Sequence, residues 1–295
     1  MNNLYDIIIV GAGPAGLTAA IYGARASKRV LVLEAKSYGG QIVGTLDIEN
    51  YPATMHINGY DLATSMYHQA LELKAEIKFE KVININEALE VTTDKDKYQA
   101  KAIIIATGSD YRKLGLENED ELLGKGISYC ATCDGNFYKG MDVAVVGGGN
   151  SALDDALYLS DLCNQVYLIH RRDEFRGDQS TLDKLKAKAN IKFILNANVT
   201  KINGSDKLES IEINNSEVIN VSGLFIAVGR IPENQNFAKL INLDNIGYVI
   251  AGEDCMTNVP GIFVAGDCRT KALRQLVTAT SDGAIAAVNA INYIK

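Results

Sequence analysis

One local pattern occurs twice in this chain and narrows the possible folds more than any other feature. An apolar run, Asp6–Val10 (DIIIV), leads into the glycine-rich turn Gly11-Ala-Gly-Pro-Ala-Gly16 and then a small-residue helix to about Ala26. The second copy runs from Asp142–Val146 (DVAVV) through Gly147-Gly-Gly-Asn-Ser-Ala152 into a helix ending near Leu162. Each helix is followed by a second strand, Arg29–Glu34 in one copy and Gln165–His170 in the other. Continuous apolar strands of this kind belong to parallel sheets covered by helices on both faces. Glu34 stands 23 positions after Gly11, and His170 stands 23 positions after Gly147. A single glycine-rich match says little, but two copies of equal pitch imply two nucleotide ligands.

The expected fold class is therefore α/β, with two Rossmann-like, three-layer dinucleotide-binding domains. A length of 295 residues suits about two such domains. Lys101–Gly108 (KAIIIATG) and Gly223–Gly229 (GLFIAVG) resemble each other and read as a late core strand of each copy. A further apolar strand, Gly261–Asp267 (GIFVAGD), precedes an alanine-rich helix from about Gln275 and has no copy of its own. It is expected to return to the first domain, leaving the second inserted, with crossings near 110–115 and 240–248. The domains are then 1–111 and 244–295 for the first and 112–243 for the second.

Charge and composition exclude several classes. The formal net charge is −7, and the only basic cluster is Arg171–Arg176, which argues against nucleic acid or an anionic membrane as partner. Ile7–Val10 is too short to span a bilayer, and no leader pattern precedes it, so a cytoplasmic protein is expected.

In the first turn, Gly11 permits the tight bend, Gly13 the approach of a diphosphate to the backbone, and Gly16 close packing of helix on strand. Glu34, ending the next strand, is placed to accept a ribose hydroxyl. The alternative is an ordinary turn with a solvated acid. The second copy carries His170-Arg-Arg172 where the first has its acid, with Arg176 four residues on. A carboxylate there repels a 2′-phosphate, whereas arginine forks grip it, which selects NADP(H) over NAD(H). A solvated basic loop is the plainer reading.

Of five cysteines, only Cys130 and Cys133 stand as C-x-x-C, within Cys130-Ala-Thr-Cys133-Asp134-Gly135. Two thiols at that spacing can close a small disulfide ring, and Asp134 beside them is placed to give or take the proton of a departing thiolate. A zinc half-site would need a second pair of ligands. His56, His68 and His170 are isolated, so no metal is expected, and two inert structural thiols are the remaining alternative. Cys163, Cys255 and Cys268 read as small buried hydrophobes.

GAGPAG, CATCDG, GGGNSALDDAL, HRRDEFR and GIFVAGDC, in this order, resemble the low-molecular-weight thioredoxin reductases among the pyridine nucleotide-disulfide oxidoreductases. The resemblance runs from Tyr5 to the C-terminal helix. It implies an FAD domain in two chain segments and an inserted NADPH domain bearing the redox disulfide. Carried over by motif, FAD contacts fall on Gly11, Gly13, Gly16, Glu34, Gly40, Gln41, Asn50, Thr107, Asp267 and Gln275. Pro14, Ala15, Gly108, Gly266 and Arg274 complete that cofactor-binding set. Gly147, Gly149, Asn150, Ser151, His170, Arg171, Arg172 and Arg176 line the NADPH site. The family pattern also implies that Cys133 faces the flavin, that Cys130 attacks the substrate disulfide, and that Asp134 is the acid–base partner. The implied relay takes hydride from NADPH to FAD, then to the Cys130–Cys133 disulfide, then to oxidised thioredoxin through a mixed disulfide. A homodimer and a rotation of the NADPH domain are implied as well. The alternatives are a flavin reductase for another acceptor, such as a glutaredoxin-like protein, and a non-catalytic nucleotide-binding redox sensor. The run Gly229-Arg-Ile-Pro-Glu-Asn234 departs from the family pattern in carrying a Glu before Asn.

Overall fold

A computed structural model of the protein describes residues 3–45 and 47–295. Among these residues the chain forms two compact units, one of residues 1–110 and 231–295 and the other of 111–230.

The first unit begins with β1 (Leu4–Val10), α1 (Pro14–Arg25) and β2 (Val30–Glu34). It continues through α2 (Gly59–Glu72), β3 (Glu76–Phe79), β4 (Val82–Ile85), β5 (Glu90–Thr93) and β6 (Lys97–Ile105). Strands β3, β2, β1 and β6 lie side by side, each pairing parallel to its neighbour. The start of β6 also pairs with the antiparallel meander β4–β5. Every residue of the DIIIV run is paired or packed, because successive side chains of β1 enter opposite cores. Ile7 and Ile9 join α1, while Ile8 and Val10 join the other face with Leu31, Leu33, Ile103 and Ile105. Ile7, Ile8 and Ile9 are all fully buried, each worth about 1.5–3 kcal/mol of burial free energy.

β7 (Ser109–Tyr111) carries the chain into the second unit. There follow β8 (Ile127–Ser128), α3 (Ala131–Asp134), β9 (Asp142–Val146), α4 (Asn150–Ser160), β10 (Gln165–Ile169), α5 (Gln179–Lys186) and β11 (Ile191–Ile194). A three-stranded antiparallel sheet, β12 (Val199–Asn203), β13 (Ser210–Ile213) and β14 (Glu217–Asn220), precedes β15 (Gly223–Ile226). The order β11-β10-β9-β15-β8 is parallel throughout. β9 again divides its side chains: Val143 and Val145 pack with α4, and Ala144 and Val146 pack with residues of β12–β14. This unit therefore has its own core on both faces of its sheet.

β16 (Arg230–Pro232) returns the chain to the first unit, where β17 (Ile262–Val264) pairs parallel with the end of β6 and α6 (Leu276–Tyr293) packs on α1. A Cβ at Gly283 of α6 would stand 2.2 Å from the Ala15 carbonyl oxygen, so only glycine allows this approach of the two helices. The return crossing lies at 230/231 and corrects the boundary at 243 expected from sequence. The physical reason is the segment between the two positions. Phe237 and Ile241 are buried against Ile8, Val10, Leu33 and Ile105 of the first unit, and the side chain of Asn234 is fully buried there too.

Candidate functional site

In the first unit, β1 ends at Val10 and α1 starts at Pro14, whose fixed φ suits the first helical position. Gly11 has φ +108°, and a Cβ there would stand 2.4 Å from the Ala106 carbonyl oxygen. A Cβ at Gly16 would stand 1.9 Å from the Gly11 carbonyl oxygen, whereas one at Gly13 would meet nothing. The turn is thus closed on its strand side and open over Gly13. No side chain caps the N-terminus of α1, which leaves its first N–H groups available to an anion. The Glu34 carboxylate accepts the N–H of Ala12 (2.7 Å) and of Lys36 (2.8 Å), which fixes it beside the turn. Gly40 lies against Gly13, the Gly39 N–H donates to the Ala12 carbonyl (2.8 Å), and Gln41 donates to the Ser109 carbonyl.

The C-terminal segment brings Gly266 to the same place, since a Cβ there would stand 2.9 Å from that of Ala15. Asp267 follows it in sequence. Arg274 lies over the Tyr248 ring at 4.1 Å and donates to the carbonyls of Arg269, Lys271 and Asp267. Gln275 caps α6 in a reciprocal box with Thr278 and accepts from Asn50 at 3.2 Å. Gly11, Gly13, Pro14, Ala15, Gly16, Glu34, Gly40, Thr107 and Gly266 therefore converge on one turn, while a Cβ at Gly108 would meet nothing within 4 Å. Asn50 and Gln275 form a separate pair.

Two features of this unit had no sequence signal. Asn234 accepts from Thr107 (2.9 Å) and donates to the carbonyls of Gly247 (2.9 Å) and Cys268 (2.8 Å), tying three segments behind the turn. Asp282 of α6 accepts the Gly266 N–H (2.9 Å), two bonds from Arg269 (2.8 and 2.9 Å) and one from Lys271 (2.8 Å). Burial pushes the Asp282 carboxyl up, but the bonds from Arg269 and Lys271 prevail and hold it below the usual carboxylate range.

In the second unit, Gly149 caps α4 without a side-chain bond, again leaving N–H groups open. The loop after β10 folds back over this turn: the Arg176 N–H donates to the Gly148 carbonyl (2.7 Å) and the Asp178 N–H to Asn150 Oδ1 (2.7 Å). His170 lies beneath Gly148, where a Cβ would stand 2.1 Å from the imidazole, and it stacks on Phe175 at 5.2 Å. Burial lowers its pKa, and the charges of Arg176, Arg172 and Arg171 lower it further against a bond to the Glu174 backbone. The imidazole is therefore neutral at pH 7. Ser151, Arg171, Arg172 and Arg176 are exposed. Among the described residues, none of the three arginines has an ion-pair partner.

Cys130 and Cys133 form a disulfide across the short helix α3, and both are half-buried. Asp134 ends that helix, and burial raises its carboxyl above the ordinary value while a bond from Ser128 opposes the rise. Ser128, which sequence reasoning missed, donates to Asp134 Oδ2 at 2.6 Å and accepts the Cys130 N–H at 3.0 Å. Cys163, Cys255 and Cys268 are free and buried. Burial pushes the thiol of Cys163 up to about 11 and that of Cys255 to about 12, and it raises Cys268 as well. These three are inert packing residues, and the reactive sulfur chemistry is confined to one pair.

Comparison with known proteins agrees with this geometry. The pyridine nucleotide-disulphide oxidoreductase family model matches residues 5–283. A thioredoxin reductase of Listeria monocytogenes is 43% identical over 303 residues, spanning 100% of this chain and 95% of the relative. One from Mycoplasma genitalium is 43% identical and spans 96% and 93%. The crystal structure of thioredoxin reductase from Streptococcus pyogenes superposes with a TM-score of 0.92 at 39% identity, covering 99% of both chains. With a disulfide, two glycine turns and this full-length similarity, the chain belongs to the pyridine nucleotide-disulphide oxidoreductases, in their low-molecular-weight thioredoxin reductase branch.

Proposed function

We propose that the protein is an NADPH-dependent, FAD-containing thioredoxin-disulfide reductase whose first unit holds FAD and whose second binds NADPH. The observation that carries this is the half-buried Cys130–Cys133 disulfide, flanked by Asp134, in the unit that also has a glycine turn under three unpaired arginines.

The residues of the first unit fit FAD. The open space over Gly13 and the uncapped N-terminus of α1 suit a diphosphate, and the fixed Glu34 carboxylate suits a ribose diol. When bound, FAD takes up hydride from NADPH and passes an electron pair to a disulfide. Gly266, carried on the C-terminal segment, lies against Ala15 beside that turn, and we assign Asp267 and Gln275 of the same segment to FAD by their match to the family motif. In the second unit Gly147 and Gly149 cradle the NADPH diphosphate, while Arg171, Arg172 and Arg176 pair with its 2′-phosphate.

The sulfur chemistry follows from the pair itself. An electron pair delivered at Cys133 breaks the Cys130–Cys133 bond and leaves two reduced sulfurs. The Cys130 thiolate then attacks one sulfur of the oxidised thioredoxin disulfide, and the other thioredoxin sulfur departs as a thiolate. Asp134, kept protonated to higher pH by burial, supplies the proton to the departing sulfur. Cys133 attacks the mixed disulfide at Cys130, which restores the starting bond and releases dithiol thioredoxin. Among the described residues no helix is long and apolar enough to cross a membrane. A cytoplasmic homodimer is the assembly and location this reading favours.

The test is anaerobic addition of NADPH to the yellow protein, followed by oxidised thioredoxin. Bleaching of the flavin by NADPH and recovery on adding thioredoxin are expected. Bleaching without recovery would transfer the acceptor role to another disulfide protein, such as a glutaredoxin-like one, and no bleaching would remove NADPH as donor.

A further inference from the structure

Ser128 sits on β8, two residues before Cys130, and is 2% exposed. Its hydroxyl is within bonding distance of three groups: Asp134 Oδ2 at 2.6 Å, the Cys130 N–H at 3.0 Å and the Cys130 carbonyl at 3.3 Å. A hydroxyl carries one proton, so it cannot donate to the carboxylate and the carbonyl at once. The charge on Asp134 decides between them. With Asp134 ionised, Ser128 donates to Oδ2 and its lone pair receives the Cys130 N–H. With Asp134 protonated, the carboxyl O–H donates to Ser128 Oγ, and the Ser128 proton turns to the Cys130 carbonyl. The two states differ by the one proton on Asp134, and the Ser128 O–H turns in response to it.

We propose that Ser128 is a positioning residue of the disulfide-exchange step, a hydroxyl switch that holds Asp134 and couples its protonation to the backbone of Cys130. The inference rests on the reading of Asp134 as the acid–base group. Two other observations support it. Ser128 is the only hydrogen-bond partner of the Asp134 side chain among the described residues. Burial and this one bond set the carboxyl, one raising and the other lowering its pKa. Of the groups packed around it, Tyr138 in the turn after α3 feels the Asp134 charge, and Tyr158 of α4 lies beside Gly135. Burial and the Asp134 charge push the Tyr138 phenol up to about 12, and Cys130 and Cys133 are joined, so Ser128 is the polar group that answers to the carboxyl.

The experiment compares the wild type with Ser128→Ala, Ser128→Thr and Asp134→Asn in the full-length holoenzyme. Flavin reduction by NADPH and reduction of the thioredoxin disulfide are timed separately from pH 5.5 to pH 9.5, and the Asp134 carboxyl is followed by 13C NMR in the oxidised protein. Removing a hydrogen bond to a charged acceptor raises the carboxyl pKa by about one pH unit or more. In Ser128→Ala, the alkaline limb of disulfide reduction and the NMR titration should therefore both move up by about that amount, with flavin reduction unchanged. Ser128→Thr, which keeps the hydroxyl, should return both to the wild-type position. A Ser128→Ala protein that is slower at every pH, with limb and titration unmoved, overturns the switch. A normal rate in Asp134→Asn overturns instead the acid–base reading, and the carboxyl titration still judges whether Ser128 governs that group.

Discussion

Glu34 ends its strand with both carboxylate oxygens engaged by the N–H groups of Ala12 and Lys36, whereas His170, at the same offset from its own turn, is a buried ring under Gly148. On the proposed reading the acid serves the ribose hydroxyls of FAD, while the imidazole packs under its own turn and charge recognition falls to its arginine neighbours. Exposed, and without an ion pair among the described residues, Arg171 and Arg172 are the groups proposed to discriminate NADPH from NADH. Replacing both with Ala is expected to raise the dissociation constant for NADPH at least ~tenfold, since each charge-assisted bond is worth about 1.5–3 kcal/mol. NADH, lacking the 2′-phosphate, should change by less than about threefold. Titration of both dinucleotides checks this, and an unchanged preference would remove these arginines from the site. Cys133→Ser should keep flavin bleaching by NADPH and abolish thioredoxin reduction, while Cys163→Ala should keep both. At this scale the sequence is legible where chemistry is contiguous: GAGPAG, CATCD and HRR are each read whole. It is silent where a residue acts at a distance. Asn234 reaches Thr107 across 127 positions and Asp282 reaches Gly266 across 16, and no spacing rule announces either bond.

Helix α4 shows how an element carries more than its motif. Its N-terminus is open beneath the second glycine turn, its inner face fills the core with Leu153, Ala156 and Leu159, and Asp155 is half-buried between. Burial, helped by the charge of Asp154 and opposed by Arg230, pushes the Asp155 carboxyl up to about 7. A carboxyl whose folded pKa lies above its unfolded one holds its proton better in the native state. Folding stability therefore falls as pH rises from the unfolded value, about 4, to the folded one, and stays lowered above it. The penalty at pH 8 is on the order of 4 kcal/mol. Asp155→Asn should accordingly raise the melting temperature by several degrees at pH 8 and hardly at all near pH 4. An equal gain at both would mean that packing, not charge, is responsible. Elements with strict apolar runs, β1, β9, β6 and β17, are the ones the sequence declares. The meander β4–β5 and the sheet β12–β14 are short, with mixed burial, and their pairing is decided by tertiary packing. The misplaced crossing at 243 has the same origin, because Phe237 and Ile241 lie outside any periodic run yet supply core to the first unit.

Each unit of the molecule has its own pair of hydrophobic clusters, so each is a cooperative structure in its own right. The chain nevertheless makes the first unit from two pieces, joined by non-covalent contacts alone: β17 pairs with β6, α6 packs on α1, Gly266 lies against Ala15, and Thr107 donates to Asn234. A ligand gripped by both pieces stabilises that closure by mass action, about 4 kcal/mol when present at a thousand times its dissociation constant. The other unit, continuous in sequence, gains nothing from it. Stripping FAD should therefore loosen residues 1–110 and 231–295 and leave 111–230 as protected as before. Hydrogen exchange read by mass spectrometry is the measurement. Faster exchange is expected in β1, α1 and the Gly266–Gln275 segment of the apoprotein, with β9, β10 and β15 unchanged, and NADP+ should slow exchange around Gly147–Asn150 and Arg171–Asp178 alone. Equal loosening of both units on FAD removal would show that the cofactor is not held where the first glycine turn, Glu34 and the returning C-terminal segment meet.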